Sequence, residues 1–389
     1  MIEKIKPLAK PSGFKFTKKK AQAKATDKLT ISLDVGSHNT KMLVGRLKPS
    51  GILIEKALME LTPANSYSDG DVLDAGQLTA LLKDMTTRNR IASTDLVFSV
   101  ESTKFIKREF ALPQIPNEDI IGLATYEMMQ YLPIDISEYS IAPHIIGEIE
   151  EDGAKKIRVS VCAVPKSIIQ TYQKLFTGIG LNPLSMEIHS NSIEKLIQFH
   201  EKSSPNSVYA NKSVVFIDMG HSFFNVSFYE KGLYQFNQVI EAGGRDLDSI
   251  ISKALNINEK KAEKVKREIF RKISVEDLES KYANAASDYH PGSVKVKLLI
   301  DLLSAITQWV VQINGVISYM KRSKEKSIDR IYIYGGASQI SGLSSFLEKS
   351  LGIKTTVPKS LCRFTCARDI DKQIAVADYG NALGAFLRA

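Results

Sequence analysis

LTISLDVGSHNTKMLVGRLK, residues 29–48, consists of an apolar run that ends at Asp34, a polar loop that begins at Gly36, and a second apolar run that starts at Met42. Two apolar runs joined by a short loop with a glycine predict a β-hairpin. Gly36 allows a bend that a Cβ atom would resist. The stretch therefore predicts two antiparallel strands with a polar turn at one end.

The residue types in this turn suit a phosphate group and its metal. Asp34 offers a carboxylate to a hydrated Mg²⁺, and Lys41 offers a point charge to phosphate. Backbone N–H groups that point into the concavity of such a turn suit an anion, and here they belong to Ser37, His38 and Asn39. A plain hairpin has the same short pattern, so the motif alone leaves both interpretations open.

A second stretch, VVFIDMGHSFFNVSFY at residues 214–229, repeats this layout with Asp218, Gly220, His221 and Ser222. An internal repeat at this distance predicts two homologous halves that face each other. The space between the two hairpins is then the expected place for a polyphosphate and its metal. The repeat favours phosphate binding over a plain hairpin.

The 389 residues have the composition of a globular protein with two domains. No run of about 18 apolar residues occurs, so no transmembrane helix is expected. The apolar residues of 298–317 recur at helical spacing and predict a long amphipathic core helix. The three cysteines, Cys162, Cys362 and Cys366, lack the spacing of a disulfide framework or a zinc site, which favours a reducing compartment.

The net charge of +9 is concentrated at the N-terminus, where residues 1–28 contain nine lysines against two acids. These lysines alternate with bulky apolar residues, which favours contact with anionic lipid head groups. A solvated flexible tail, or non-specific nucleic-acid binding, has the same composition. The rest of the chain contains no nucleic-acid-binding motif, so no specific nucleic acid is expected as a partner.

The order of the predicted elements divides the chain into parts. Between about residues 102 and 178, a strand, a helix, two strands and a helix predict a small inserted α+β unit, whose first helix runs from an Asn117 cap to Tyr131. The polar stretch 200–212 is the predicted linker between the halves. The predicted parts are a basic flexible tail at 1–28, a first domain at 29–205, a second domain at 206–370, and a C-terminal helix at 371–389 that returns to the first domain.

Together these motifs resemble the actin-like ATPase superfamily. The inserted unit resembles that of its FtsA and PilM branch, and the phrases VCAVPK at 161–166 and GIGLNP at 178–183 are similar to the PilM family of type IV pilus assembly proteins. The chain ends at Ala389 without the C-terminal membrane helix usual in FtsA-like proteins, which favours the PilM family. Further resemblance lies in the charged helix that contains Glu263 and Lys266. It also lies in glycines at three places: Gly243, the turn Gly335-Gly336-Ala337, and Gly342.

The resemblance implies an α/β, two-lobed actin-like (RNase H-like) ATPase fold with a small inserted α+β subdomain. It implies ATP between the lobes and Mg²⁺ at Asp34 and Asp218. Glycines near the nucleoside let the backbone lie against purine and ribose, and Glu263 and Lys266, one helical turn apart, would reach the nucleoside together unless they form a solvated charge pair. The implied ATP-binding residues are Gly36, Ser37, His38, Asn39, Lys41, Gly220, His221, Ser222, Gly243, Glu263, Lys266, Gly335, Gly336 and Ala337.

The resemblance also implies partners and a location. A PilM-like protein lies in the cytoplasm at the inner face of the cytoplasmic membrane and binds the N-terminal cytoplasmic peptide of an inner-membrane PilN-like protein. It would connect this partner to a pilus motor ATPase. The strand at 105–112 and the helix at 117–131 are the expected place for the peptide, although core packing explains their apolar residues equally well.

Several residues depart from the superfamily pattern. PilM-like sequences usually have an acid where this chain has His189, and Glu187, two residues earlier, is the remaining candidate to orient the attacking water. His189 is interpreted as a structural or capping residue, and the imidazole of His221 offers no carboxylate to a hydrated metal. Because phosphoryl transfer depends on positioning and charge stabilisation, we expect at most a slow ATPase.

Two other functions fit the same superfamily. A small-molecule kinase would need an aspartate base in the cleft, and the sequence contains no convincing motif for one beyond the two hairpins. An FtsA-like division or cytoskeletal filament protein would need a membrane anchor, for which the basic tail is the candidate.

Overall fold

Two large β-sheets stand on either side of a pair of helices, and a third, smaller sheet belongs to the first half of the chain. The computed structural model describes residues 27–49, 51–131, 135–151, 153–203, 209, 211–282, 294–324, 327–358, 364–367 and 376–387.

The first half contains ten strands and four helices among the described residues. In chain order they are β1 (Thr30–Val35), β2 (Asn39–Lys48), β3 (Gly51–Leu61), β4 (Tyr67–Ser68), β5 (Asp71–Val72), α1 (Ala75–Arg88), β6 (Asp95–Ser99), β7 (Ile106–Pro113), α2 (Ile120–Tyr131), a 3₁₀ turn at Ile136–Glu138, β8 (Tyr139–Glu151), β9 (Ala154–Pro165), α3 (Lys166–Thr177), β10 (Asn182–Glu187) and α4 (His189–Ser203).

The second half continues with strands and helices that end in a C-terminal helix. They are β11 (Ser213–Met219), β12 (Phe224–Glu230), β13 (Leu233–Ile240), α5 (Gly244–Leu255), α6 (Glu259–Lys272), α7 (Val275–Tyr282), α8 (Val294–Lys324), β14 (Arg330–Tyr334), a 3₁₀ turn at Gly336–Gln339, α9 (Leu343–Leu351), β15 (Thr355–Thr356), β16 (Phe364–Cys366) and α10 (Val376–Phe386).

The two large sheets share one topology, as the internal repeat predicts. In the first, the antiparallel meander β1, β2, β3 is extended on the β1 side by the parallel strands β6 and β10. In the second, the meander β11, β12, β13 is extended on the β11 side by the parallel strands β14 and β15. Asp34 and Asp218 therefore lie at equivalent places near the carboxyl ends of the two central strands.

Both faces of each large sheet are covered, which explains why β1 and β11 are buried almost throughout. Helices α1 and α3 cover the outer face of the first sheet, and α5 to α9 form the core on the outer face of the second. Helices α4 and α10 fill the space between the two sheets. The fold thus consists of two similar α/β lobes that share a central helical layer.

Helix α8 is the predicted core helix and is longer than the predicted 298–317. Leu302, Ile306 and Ile313 are fully buried against the second sheet and its neighbouring helices. Among the described residues, its segment Val294–Arg322 is also long and apolar enough to cross a membrane by length and composition. Its place in the core of the second lobe accounts for that apolar composition.

Helix α10 approaches α4 and β14 closely. A Cβ atom on Gly384 would lie 2.1 Å from the carbonyl oxygen of Ser192 in α4, and one on Gly380 would lie 3.1 Å from the ring of Tyr334 in β14. The hydroxyl of Ser32 in β1 donates a hydrogen bond of 2.6 Å to the carbonyl of Ala382. Small residues on one face of α10 thus allow it to lie between the lobes.

The predicted inserted unit consists of the antiparallel sheet β7-β9-β8 and helix α2, with its own small core. Helix α2 begins at Ile120, not at the predicted Asn117 cap, because residues 117–119 form a turn in which the N–H of Asp119 donates to the carbonyl of Pro116 at 3.0 Å. Strand β7 is an edge strand of this sheet within the described residues.

The structure differs from the predicted boundaries at two other places. Residues 200–203 of the predicted linker continue helix α4. The chain returns to the first lobe before residue 371, since β16 pairs with β3 and covers its edge, with Phe364 opposite Ile52. Outside the described residues lie 1–26 of the predicted tail, 204–208 and 210 of the predicted linker, and Cys362.

We expect Gly384→Ala to destabilise the protein, because a methyl group cannot occupy the 2.1 Å between that position and the Ser192 carbonyl without moving α10 away from α4. Overpacking of this kind costs about 1–3 kcal/mol. The matched control is Gly315→Ala in α8, where a Cβ would contact nothing within 4 Å. That change removes the helix penalty of glycine and should stabilise by up to about 1 kcal/mol.

Thermal and denaturant unfolding of both variants and the parent chain measures the two effects. Equal shifts of the same sign for the two substitutions would show that the contact between α10 and α4 is not tight.

Candidate functional site

A cavity of about 530 Å³ lies between the lobes, at the carboxyl ends of the two central strands. Both hairpin turns, helix α6, the turn after β14 and helix α10 contribute to its walls. The structure therefore brings together motifs that are separated by up to about 300 positions in the sequence. The predicted residues that line it are Asp34, Gly36, Ser37, His38, Asn39, Lys41, Asp218, Gly220, His221, Ser222, Glu263, Lys266, Gly335, Gly336 and Ala337.

The two hairpin turns are built alike. The N–H of Gly36 donates to the carbonyl of Asn39 at 3.0 Å, and the N–H of Gly220 donates to the carbonyl of Phe223 at 3.1 Å. A Cβ atom would lie 2.9 Å from the accepting oxygen in the first turn and 2.7 Å in the second. Glycine is required at both positions because the turn closes on itself at that distance.

The two turns also touch each other across the cavity. The hydroxyl groups of Ser37 and Ser222 are 2.9 Å apart, and the rings of His38 and His221 have centroids 4.7 Å apart. Burial lowers the pKa of His221, and the neighbouring positive groups lower it further, to about 3, so this ring is neutral at physiological pH. These contacts between the two turns connect the lobes at the wall of the cavity.

Four charged side chains meet at the inner end of the cavity. The ammonium of Lys41 lies 3.4 Å from Oδ2 of Asp34. The imidazole of His189, the first residue of α4, stands between the two lobes, with Nε2 3.5 Å from Oδ1 of Asp34 and Nδ1 3.4 Å from Oδ2 of Asp218. A single ring therefore bridges the equivalent aspartates of the two central strands.

The charges in this cluster support one another. Burial alone would raise the pKa of Asp34, but Lys41 and His189 outweigh it and hold that pKa at about 2. Burial alone would lower the pKa of His189, but Asp218 and Asp34 raise it to about 10. Burial would also lower the pKa of Lys41, and the surrounding carboxylates raise it. Near neutral pH, Asp34 is therefore ionised and both Lys41 and His189 are cations.

Asn381 of α10 completes the cluster and was missed by the sequence analysis. Its Nδ2 donates a hydrogen bond of 2.7 Å to Oδ2 of Asp218 and lies 3.2 Å from Nδ1 of His189. Its Oδ1 accepts a hydrogen bond of 3.1 Å from the hydroxyl of Tyr334. The available signal was an amide among the small and apolar residues in the second half of the C-terminal helix, since a buried amide needs partners.

The turn after β14 forms another wall of the cavity. Gly335 has φ +87°, and a Cβ there would lie 2.4 Å from Oδ1 of Asp218. Its N–H donates a 2.7 Å hydrogen bond to the carbonyl of Ala377, which fixes the turn to α10. Gly336 and Ala337 line the cavity together with side chains from α6, among them Phe270. Bare backbone on one side and an aromatic ring and basic residues on the other suit a flat heterocycle.

Glu263 and Lys266 both line the cavity, but each is held by other partners. Nε2 of His38 lies 3.1 Å from Oε1 of Glu263, which also pairs with Arg267 at 2.7 Å. The ammonium of Lys266 donates to Oδ2 of Asp248 at 2.6 Å and to the carbonyl of Gly244 at 3.1 Å. Neither side chain is a freely solvated member of an i,i+3 pair.

Two predicted residues do not line the cavity. Gly243 supports the second hairpin instead, because a Cβ there would lie 2.1 Å from the carbonyl oxygen of His221, and its neighbour Gly244 lines the cavity. Glu187, at the end of β10, forms an ion pair of 2.5 Å with Lys195 of α4. The side chain that reaches the cavity from this corner is His189, because the chain turns into α4 between the two.

The residues present do not fit the predicted Mg²⁺ between Asp34 and Asp218. An octahedral Mg²⁺ keeps its oxygen ligands at 2.0–2.1 Å and retains most of its water shell, so it needs open space between the carboxylates. The imidazole of His189 occupies that space. Among the described residues, no group of three or more His, Cys, Asp or Glu side chains has the arrangement of a metal site.

Solved structures that are similar to this chain include a pilus biogenesis complex and an ethanolamine utilization protein. The PilM-PilN type IV pilus biogenesis complex contains a chain that matches with 16% identity and a TM-score of 0.76, over 93% of this chain and 98% of that chain. Ethanolamine utilization protein EutJ from Carboxydothermus hydrogenoformans matches with 11% identity and a TM-score of 0.53, over 93% and 90% of the two chains. At these identities the matches show a shared fold, and they confirm the predicted actin-like architecture.

The family described as "Type IV pilus assembly protein PilM" has a model that matches residues 32–387. The match begins within β1 and ends just after α10, so it includes both large sheets, the inserted unit and every wall of the cavity. The chain belongs to the PilM family of type IV pilus assembly proteins.

Proposed function

We propose that this PilM-family protein is an ATP-binding scaffold in the cytoplasm that joins a nucleotide site to a membrane-anchored, PilN-like partner. The observation that carries the proposal is the pair of equivalent hairpin turns, which face one cavity at the carboxyl ends of the central strands. In open α/β sheets, ligands bind outside the carboxyl ends of the strands. Two phosphate-type turns that share a cavity favour one ligand with several phosphate groups.

The proposed ligand has its polyphosphate at the hairpins and its nucleoside toward α6. Backbone N–H groups of the two turns and the ammonium of Lys41 suit the phosphate oxygens. Purine and ribose would lie between the Gly335-Gly336-Ala337 turn and the cavity face of α6, where Lys266 and Glu263 lie. Both turns, Lys41 and α6 belong to walls of the same cavity, so one nucleotide has room to contact all of them.

The proposed partner site is the exposed surface of the inserted unit. Strand β7 is an edge strand, to which an extended peptide can add by backbone hydrogen bonds. On the adjacent helix α2, three large apolar or aromatic side chains are exposed: Tyr126, Met129 and Tyr131. The similarity to a chain of the PilM-PilN complex supports a PilN-like partner, whose N-terminal cytoplasmic peptide is the proposed ligand.

This partner would hold the protein at the inner face of the cytoplasmic membrane. The lysine-rich tail at residues 1–28 would add affinity for anionic lipids, and a pilus motor ATPase is the proposed cytoplasmic contact. The scaffold would then transmit the nucleotide state of the cavity to the envelope partner through the inserted unit.

We expect Gly336→Asp to weaken ATP binding by about tenfold or more, the equivalent of about 1.4 kcal/mol. An aspartate at this position places a carboxylate in the cavity, where it repels the anionic ligand. A Cβ at Gly336 would contact nothing within 4 Å, so the variant should fold. Gly336→Ala is the matched control, because it adds a methyl group without a charge, and it should lose less affinity than Gly336→Asp. Calorimetric titration with ATP measures both, and equal affinity of Gly336→Asp and the parent chain would argue against the proposed nucleoside site.

We expect turnover of bound ATP below about one per second, the low end of typical enzymes. Glu187, the predicted residue for orienting water, is held by Lys195 outside the cavity, and His189 faces the cavity as a cation that accepts no proton from water. Release of phosphate, followed with excess Mg²⁺ in the presence and absence of the partner peptide, measures the rate. Faster turnover would contradict the scaffold proposal.

We expect Tyr126→Ser in α2 to weaken binding of a synthetic N-terminal peptide of the PilN-like protein by about tenfold, since aromatic anchors dominate such interfaces. The matched control is Tyr319→Ser in α8, because the two tyrosines are similarly exposed, at 58% and 55%. Fluorescence anisotropy of the labelled peptide gives both affinities. Equal losses for the two variants, or none for Tyr126→Ser, would place the peptide elsewhere.

A further inference from the structure

His189 occupies a position at which three parts of the fold converge. It is the first residue of α4, and its ring reaches the carboxyl ends of β1 in one lobe and β11 in the other. The side chain is only 15% exposed, and Asn381 of α10 lies against its Nδ1 edge. The ring is thus held from both lobes and from the central helical layer.

The ring has one polar atom left for a ligand. Nδ1 lies 3.4 Å from Oδ2 of Asp218 and 3.2 Å from Nδ2 of Asn381, whereas Nε2, 3.5 Å from Asp34, has no hydrogen-bond partner in the described part of the chain. A buried donor without a good acceptor is costly, so an acceptor oxygen from a ligand would stabilise it. Phosphate oxygens are strong acceptors, and the cavity that His189 lines contains both phosphate-type turns.

The charges around His189 also favour a role for this side chain in ligand binding. Two carboxylates beside a polyphosphate would repel it unless a cation stands between them, and in nucleotide sites that cation is commonly Mg²⁺. Here Asp34 and Asp218 are already matched by two cations of the chain, Lys41 and His189.

We infer that the His189 side chain replaces the divalent cation of this site, so that the protein binds a nucleoside triphosphate as the free polyanion, without Mg²⁺. This inference rests on the proposed ATP binding and specifies the form of the ligand. The imidazolium pairs with both aspartates and donates Nε2–H to the ligand. A hydrated Mg²⁺ has no place between the carboxylates while the ring lies there.

The first test is calorimetric titration of the full chain with ATP in two buffers, one with excess Mg²⁺ and one with EDTA. We expect dissociation constants that agree within about threefold, which corresponds to about 0.6 kcal/mol. Binding that requires Mg²⁺ overturns the inference and leaves the proposed function intact. Absence of binding in both buffers overturns the proposed function and the inference with it.

Two substitutions at His189 sharpen the test. His189→Asp puts a third carboxylate beside Asp34 and Asp218, so metal-free affinity should fall by about a hundredfold and excess Mg²⁺ should restore most of it, a difference of about 2.7 kcal/mol. His189→Asn removes the charge without adding a carboxylate, so its metal-free affinity should fall by about tenfold. Unchanged metal-free affinity in both variants overturns the inference.

The matched control is His221→Asn. This second imidazole of the cavity is neutral, so whatever its removal does to affinity, the ratio of affinities in the two buffers should not change. A Mg²⁺ requirement that appears equally in His221→Asn and His189→Asp would overturn the assigned role of His189. Unfolding midpoints of each variant confirm that the compared proteins are folded, and the parent chain alone decides the question if the His189 variants do not fold.

Discussion

Two aspartates, each at the end of the central strand of a different sheet, face one imidazole, and the rest of the structure accommodates that arrangement. A buried charge left without its partner costs about 3–5 kcal/mol, so Asp34 and Asp218 need cations that both lobes can reach. His189 meets this need because α4 begins at the point where the lobes approach each other. The helices between the sheets therefore provide charge compensation as well as apolar packing.

The C-terminal helix shows how closely the halves depend on each other. Gly380 and Gly384 let α10 enter the space between the sheets, and Asn381 on the same helix bonds to Asp218. Gly335 reaches α10 through the carbonyl of Ala377. Residues near the end of the chain thus support a cavity whose first wall is formed by the hairpin at residues 29–48. The PilM family match, residues 32–387, likewise extends from this hairpin to the end of α10.

Local patterns in the sequence predicted the elements that local forces determine. The glycine turns of the hairpins, the strand-type stretches that end at Asp34 and Asp218, and the helical spacing of α8 depend on neighbouring residues, and the internal repeat predicted that the two sheets share a topology. The paired turns with Asp34 and Asp218 followed from the same repeat. These predictions cover most of the walls of the cavity, although the sequence gives no distance between the walls.

Contacts between distant residues escaped the sequence analysis. Asn381 and Asp218 are 163 positions apart, and Ser37 and Ser222 are 185 apart. Glu187 and His189 are two residues apart, and only the turn from β10 into α4 determines which of them faces the cavity. Gly243 was predicted to bind ATP, whereas the structure places it against the second hairpin, and its close approach to His221 became visible only with the backbone in place.

The imidazole that spans the two aspartates has a mechanical consequence. One carboxylate belongs to each lobe, so any rotation that separates the lobes must lengthen at least one of the two ion pairs of His189 in a poorly solvated place. The electrostatic energy rises as the lobes part, so the cluster opposes their separation. An anion in the cavity would change the electrostatic energy of these ion pairs, and the ease of lobe separation would then depend on whether the cavity is occupied.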